Sequence, residues 1–126
     1  MRSKFIMLGA ACAGLGVAFG AFGAHGLKTL LTPEMLDAYK TAVAYHLWHA
    51  LGLCVVGLLH ERGGAARLLQ WSGGLMLAGI VLFSGSLYLL TILNLKWLGM
   101  ITPFGGVAFI IAWLLLAIHA AQSDNG

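Results

Sequence analysis

Charge is what this chain of 126 residues has least of. Eleven Asp, Glu, Lys and Arg residues make up 9% of it, whereas soluble domains carry roughly a quarter. An ordinary water-soluble fold is therefore excluded. Carboxylates are scarcer still: Glu34, Asp37, Glu61 and Asp124 are all there are. The two cysteines, Cys12 and Cys54, form no Cys-x-x-Cys, so a dithiol oxidoreductase lacks its motif. Each is expected to behave as a small buried hydrophobe, the two thiols sharing a depth in the membrane. Net charge is +3 and the isoelectric point about 9.1, yet the bases never cluster beyond pairs and no recognition motif accompanies them. Nucleic acid is not an expected partner. No glycine-rich phosphate loop follows a strand, which removes a nucleotide site.

What is present is apolar: 60% of residues are hydrophobic and mean hydropathy is +0.93. The eleven charges leave four intervals free of Asp, Glu, Lys and Arg: 5–27, 41–60, 68–95 and 97–123. About 20 apolar residues cross a hydrocarbon core of roughly 30 Å as a helix, so each interval can span. The expected fold is all-α, a transmembrane four-helix bundle forming one domain over 1–126, with spans at about 5–27, 41–60, 68–93 and 101–121. Residues 1–24 superficially match a secretory signal. Their apolar run exceeds the usual 7–15 residues, so a retained first span is expected.

Bases mark the span ends. Arg2, Lys4, Arg62 and Arg67 fall on one side, Lys28, Lys40 and Lys96 on the other. This favours both termini in the cytoplasm and suits contact with anionic headgroups.

Residues 9–26 contain twelve Gly or Ala out of eighteen. In lipid, small residues let helix backbones approach. Gly16, Gly20 and Ala24 form one such ridge, Gly74 and Ala78 a shorter one. Span one is accordingly expected to be the central, tightly packed helix. Either ridge could instead serve a homo-oligomer or a larger membrane complex. Thr32 and Pro33 read as a helix start, with Glu34 complementing the positive end of the dipole. Helix can then run to His60. Its opening section is amphipathic, Glu34, Asp37 and Thr41 opposite Leu36, Tyr39 and Val43, so an amphipathic outer segment should precede span two, either kinked into it or continuous with it. Residues 61–67 read as a short hairpin. Thr102 and Pro103 repeat the cap-then-proline start before span four.

Polar residues inside the spans concentrate towards the outer end. At ~1.5 Å per residue, His25, His46, His49, Ser84, Ser86 and Tyr88 all lie about 17–30 Å from the inner ends of their helices. His46 and His49 are three apart, with Tyr45 beside them. Polar side chains at such depth are costly unless turned inward. Together His25, Tyr45, His46, His49, Ser84, Ser86 and Tyr88 form the candidate polar pocket. It is open to three readings: hydrogen bonding between helices, a ligand or lipid-headgroup pocket, or a metal or haem site using His25 with His46 or His49, in which Ser84 or Ser86 would accept from a ligand imidazole. No Cys or carboxylate lies at that level to complete a zinc tetrahedron. No cofactor is expected. His60 and His119, at the opposite boundary, are expected to be interfacial anchors.

Four stretches resemble a known family: Gly20-Ala-Phe-Gly-Ala-His-Gly-Leu27, Tyr45-His-Leu-Trp-His49, Phe83-Ser-Gly-Ser-Leu-Tyr88 and Thr102-Pro-Phe-Gly-Gly106. The chain is similar over essentially its whole length to the uncharacterised YgdD-type small inner-membrane proteins, domain of unknown function 423. The resemblance implies four transmembrane helices in the bacterial inner membrane and carries no reaction and no catalytic residues.

Function is bounded mainly by exclusion. A hydrolase needs nucleophile, base and usually an orienting acid, and no acid lies within a span. A proton-coupled pump normally places Asp or Glu in the membrane. The expectation is a non-enzymatic structural, accessory or lipid-interacting membrane protein. The alternatives are a haem- or metal-binding redox accessory protein and a small-solute carrier.

Overall fold

The computed structural model describes residues 4–62 and 66–123. Arg2, the middle of the 61–67 hairpin and the polar tail from 124 lie outside the described residues. The described residues form five α-helices: α1 (Lys4–His25), α2 (Pro33–Glu61), α3 (Ala66–Gly79), α4 (Ser86–Leu93) and α5 (Thr102–Ser123). A π-helical turn, Ile80–Gly85, joins α3 to α4, and a 3-10 turn, Lys96–Met100, leads into α5. Four stretches are long and apolar enough to cross a membrane: Lys4–His25, Pro33–Glu61, Arg67–Leu93 and Lys96–Gln122. The architecture is all-α.

Helix α2 starts where its sequence says it should. Thr32 adopts an extended backbone, its hydroxyl accepts from the Met35 N–H at 3.2 Å, and Pro33 occupies the first helical position. The helix then runs 29 residues without interruption, about 43 Å at ~1.5 Å per residue. The amphipathic segment is therefore continuous with span two, with Glu34, Asp37 and Thr41 exposed and Tyr39 buried. At the end of α4 Asn94 adopts the left-handed region, φ 57° and ψ 38°, the conformation asparagine tolerates best after glycine. Thr102 does not cap α5 as Thr32 caps α2. It is the first residue of the helix, and its hydroxyl is 2.5 Å from that of Ser86 and 3.4 Å from the Leu98 carbonyl.

The central helix is α2, not α1. Only 11% of the most apolar stretch of α1 is buried, against 44% for α2. Helix α2 packs on α1, α3, the π-turn and α4, while α5 lies on α3 and the π-turn. The small residues of α1 bring it close to one neighbour and leave Met7, Leu15, Val17 and Phe22 facing outward. Its buried residues are Gly9, Gly16 and Gly23, a seven-residue repeat. That repeat differs from the expected ridge. Gly16 meets Leu47, and Gly20 comes within reach of Val43. Ala24 is exposed. On α3 the contact belongs to Gly73, which abuts the Phe5 ring. The expected Gly74 faces open space, and Ala78 is half-buried.

Close approach is tightest at two glycines. A Cβ at Gly105 of α5 would lie 2.3 Å from the backbone nitrogen of Phe83 in the π-turn. A Cβ at Gly23 would lie 2.2 Å from the Tyr39 ring, which cannot swing away because its hydroxyl donates to the Phe19 carbonyl. Gly105→Ala should therefore lower stability by about 1–3 kcal/mol, as overpacking does, and Gly23→Ala should lower it too. Gly74→Ala, by contrast, should be neutral or gain up to ~1 kcal/mol of helix propensity. Thermal unfolding in detergent checks all three. Equal effects at Gly105 and Gly74 would contradict this packing.

Candidate functional site

The polar side chains within the membrane do not gather into one pocket. They form two groups on either side of α2. His46 is buried and faces α1 and α4. Its Nε2 lies 2.7 Å from the Cys12 carbonyl and its Nδ1 2.8 Å from the Tyr88 hydroxyl. A carbonyl only accepts, so Nε2 carries the proton and donates to Cys12; in the neutral ring Nδ1 then accepts from Tyr88. Phe19, Tyr39 and Tyr88 enclose this arrangement, with Phe19 and Tyr88 ring centroids 4.9 Å apart and Tyr39 and Tyr88 5.4 Å apart.

His49, also buried, faces α5 and takes the opposite tautomer. Nδ1–H donates to the Tyr45 carbonyl one turn earlier at 2.7 Å, and Nε2 accepts from the Trp113 indole N–H at 2.9 Å. Indole is a donor only, so protonating Nε2 would set two N–H groups against each other. The imidazole stacks flat on Phe109, centroids 3.5 Å apart and planes 10° apart. Tyr45 packs against Phe83 at 4.6 Å, closing the second group.

The serines serve other partners than the histidines. Ser84, in the π-turn, donates to the Ala42 carbonyl of α2 at 2.7 Å. Ser86 donates to the Phe83 carbonyl at 2.9 Å and meets Thr102. His25 is exposed at the end of α1 and belongs to neither group. Of the seven expected pocket residues the structure joins His46 with Tyr88 and Tyr45 with His49. Ser84 and Ser86 bond nearby backbone and Thr102, and His25 stands apart. Towards the other end of the bundle His119 is buried in the protein. His60 is half-buried beside Phe5, and its buried Nδ1 has no hydrogen-bond partner among the described residues.

Tyr39 and Thr102, which the sequence marks only as an apolar face residue and a helix cap, take part as well, as do Trp113, Phe109 and Ser72, the last donating to the Ala112 carbonyl at 2.8 Å. One signal was available. Tyr39 stands seven residues before His46 on α2, as Phe19 stands seven after Cys12 on α1. Both pairs bond across the same antiparallel seam. In a helix the side chain of residue i+4 leans back over the carbonyl of residue i. Gly16 and Gly23 have none, so the Cys12 and Phe19 carbonyls lie open to α2.

These bonds tie α1 to α2, α2 to α4, α5 and the π-turn, α3 to α5, and α4 to α5. Among the described residues no set of three or more His, Cys, Asp or Glu is gathered as metal ligands. The thiols are half-buried. Cys54 Sγ occupies the space where a Cβ of Gly9 would be, and Cys12 contributes its carbonyl rather than its sulfur. A double-mutant cycle of His46→Ala with Tyr88→Phe should give a coupling of about 0.6–1.7 kcal/mol, the range for such bonds in bundles. His46→Ala with Trp113→Phe should be additive within about 0.5 kcal/mol, because the two share no partner. Coupling in the second pair would mean that the two groups are one site.

Residues 19–106 match the family described as "Protein of unknown function (DUF423)". The chain is 49% identical over 118 residues to the UPF0382 membrane protein YwdK of Bacillus subtilis, covering 94% of this chain and 96% of that protein. Over 114 residues it is 47% identical to a UPF0382 membrane protein of Staphylococcus epidermidis and 44% to one of Staphylococcus haemolyticus, each covering 90% of this chain and 92% of the relative. No solved structure matches. The residues of the matched segment build most of the interhelical network, from the Phe19 carbonyl to Gly105 against Phe83. By sequence and by its four membrane-capable helices, the chain belongs to the DUF423 family of membrane proteins.

Proposed function

We propose that this membrane protein is non-enzymatic and acts through its shape and its lipid-facing surface, in a structural, accessory or lipid-interacting role. One observation carries the reading: both nitrogens of His46 and both of His49 are engaged inside the bundle. A general base needs a free nitrogen within reach of substrate, and a ligand imidazole needs one for the metal. Here each would have to abandon a hydrogen bond in a medium without water, leaving a stranded donor or acceptor. The hydroxyls of Tyr39, Ser72, Ser84 and Ser86 are likewise bonded to protein. The surface left for interaction is the apolar outer face, where large side chains such as Leu15, Phe22, Val81 and Ile110 meet lipid or a second copy of the chain.

In this reading the termini face the cytoplasm of a bacterial inner membrane, with Arg2, Lys4, Arg62 and Arg67 on the more basic side. Purified protein should be colourless, free of stoichiometric transition metal, and raised in thermal midpoint when phospholipid is added back. A visible haem band, or one equivalent of metal, that disappears in His46→Ala or His49→Ala would overturn the reading in favour of a redox accessory protein.

A further inference from the structure

A groove of about 210 Å³ runs between α1 and α2 at their outer ends. Its floor is Gly20, Gly23 and Ala24, and its other wall carries Val43, Ala44 and the Tyr39 ring. Tyr39 offers no hydroxyl to a ligand, since its own donates to the Phe19 carbonyl. The one charged group at the groove is Lys40, which is exposed and has no carboxylate within ion-pair distance among the described residues.

Depth gives this charge its meaning. Lys40 is the last charged residue before the charge-free interval 41–60, so its ammonium stands where headgroup meets hydrocarbon. Val43 and Ala44 lie one turn deeper on the same helix, and Gly20 lies one turn deeper than Ala24 on α1. A cation at phosphate depth thus stands over an apolar channel descending into the acyl region. A lysine near such a surface attracts anionic lipid by about 1 kcal/mol. A water-soluble anion would find nothing to fill the channel below, and a purely apolar ligand would leave the ammonium unused.

We propose that this groove is a phospholipid site, with one acyl chain lying along the Gly20 and Gly23 floor and Lys40 holding the phosphate of an anionic headgroup. The proposal rests on the lipid-interacting reading above and names the site through which it acts. Native mass spectrometry of the protein in mild detergent tests it, with phosphatidylglycerol and phosphatidylcholine of the same chains added separately. Wild type should retain phosphatidylglycerol about fivefold better than phosphatidylcholine, the ratio that ~1 kcal/mol corresponds to. Lys40→Gln should abolish that preference and Lys40→Arg should keep it. Ala24→Trp, at an exposed position, should fill the channel and lose retention of both lipids while leaving the lipid-free thermal midpoint in place. Ala44→Leu fills it from the other helix should Ala24→Trp fail to fold. Unchanged preference in Lys40→Gln, or unchanged retention in the filled variants, would overturn the site. If phospholipid raises the midpoint of wild type and Ala24→Trp equally, the groove fails while the lipid-interacting reading stands. If phospholipid raises neither, both fail.

Discussion

The imidazole of His46 is the joint on which the bundle depends. It reaches a backbone carbonyl of α1 through one nitrogen and the Tyr88 hydroxyl of α4 through the other, from the middle of the helix that touches nearly every other element. In hydrocarbon there is no water to take over a polar group left unpaired, and association gains no hydrophobic driving force, since lipid tails are as apolar as the helix faces. What remains is close packing and hydrogen bonding. His46 supplies the second where glycine has made the first possible. His49 repeats the device towards α5 with its proton on the other nitrogen, so one helix uses both tautomers to bind opposite neighbours.

Glycine is the complement of these donors rather than a separate packing feature. A helix carbonyl is normally screened by the side chain four residues on. At Gly16 and Gly23 that screen is missing, and the exposed carbonyls of Cys12 and Phe19 accept from His46 and Tyr39. The seven-residue spacing on both helices keeps the seam in register over two turns. The same economy appears at Gly105, where α5 comes so near the π-turn that only a hydrogen fits against the Phe83 backbone. The π-turn in turn carries Ser84 to the Ala42 carbonyl.

Much of the fold was legible because the bilayer imposes a single dominant constraint. Charged residues cannot lie at depth without partners, so each of the four charge-free intervals falls largely within one of the four membrane-capable stretches. The capped start of α2 is a local matter of Thr32 and Pro33, equally readable. What depends on the facing helix was not. Gly73 and Gly74 are indistinguishable in sequence, and only the position of the Phe5 ring makes one a contact and the other surface. The glycine-rich composition of α1 suggested a central helix, whereas a stripe of glycine serves one neighbour only. His25 shared the expected depth of the other histidines, but depth says nothing of azimuth, and at the end of α1 it is exposed, away from both groups. His46 and His49, three residues apart, were legible as a polar pair. Their divergence to α4 and α5 follows from Tyr88 and Trp113 reaching α2 from different sides.

The central claim is that two neutral histidines, each satisfied at both nitrogens, hold the helices together. It is tested most directly by the proton positions on their rings. Long-range 1H–15N correlation spectra of protein labelled with 15N-histidine, in micelles or nanodiscs near neutral pH, read them without mutation, and His46→Ala and His49→Ala spectra assign the signals. The account predicts two static neutral rings of opposite tautomer, His46 protonated at Nε2 and His49 at Nδ1. A charged imidazolium at either position, or a ring averaging rapidly between tautomers, would contradict it.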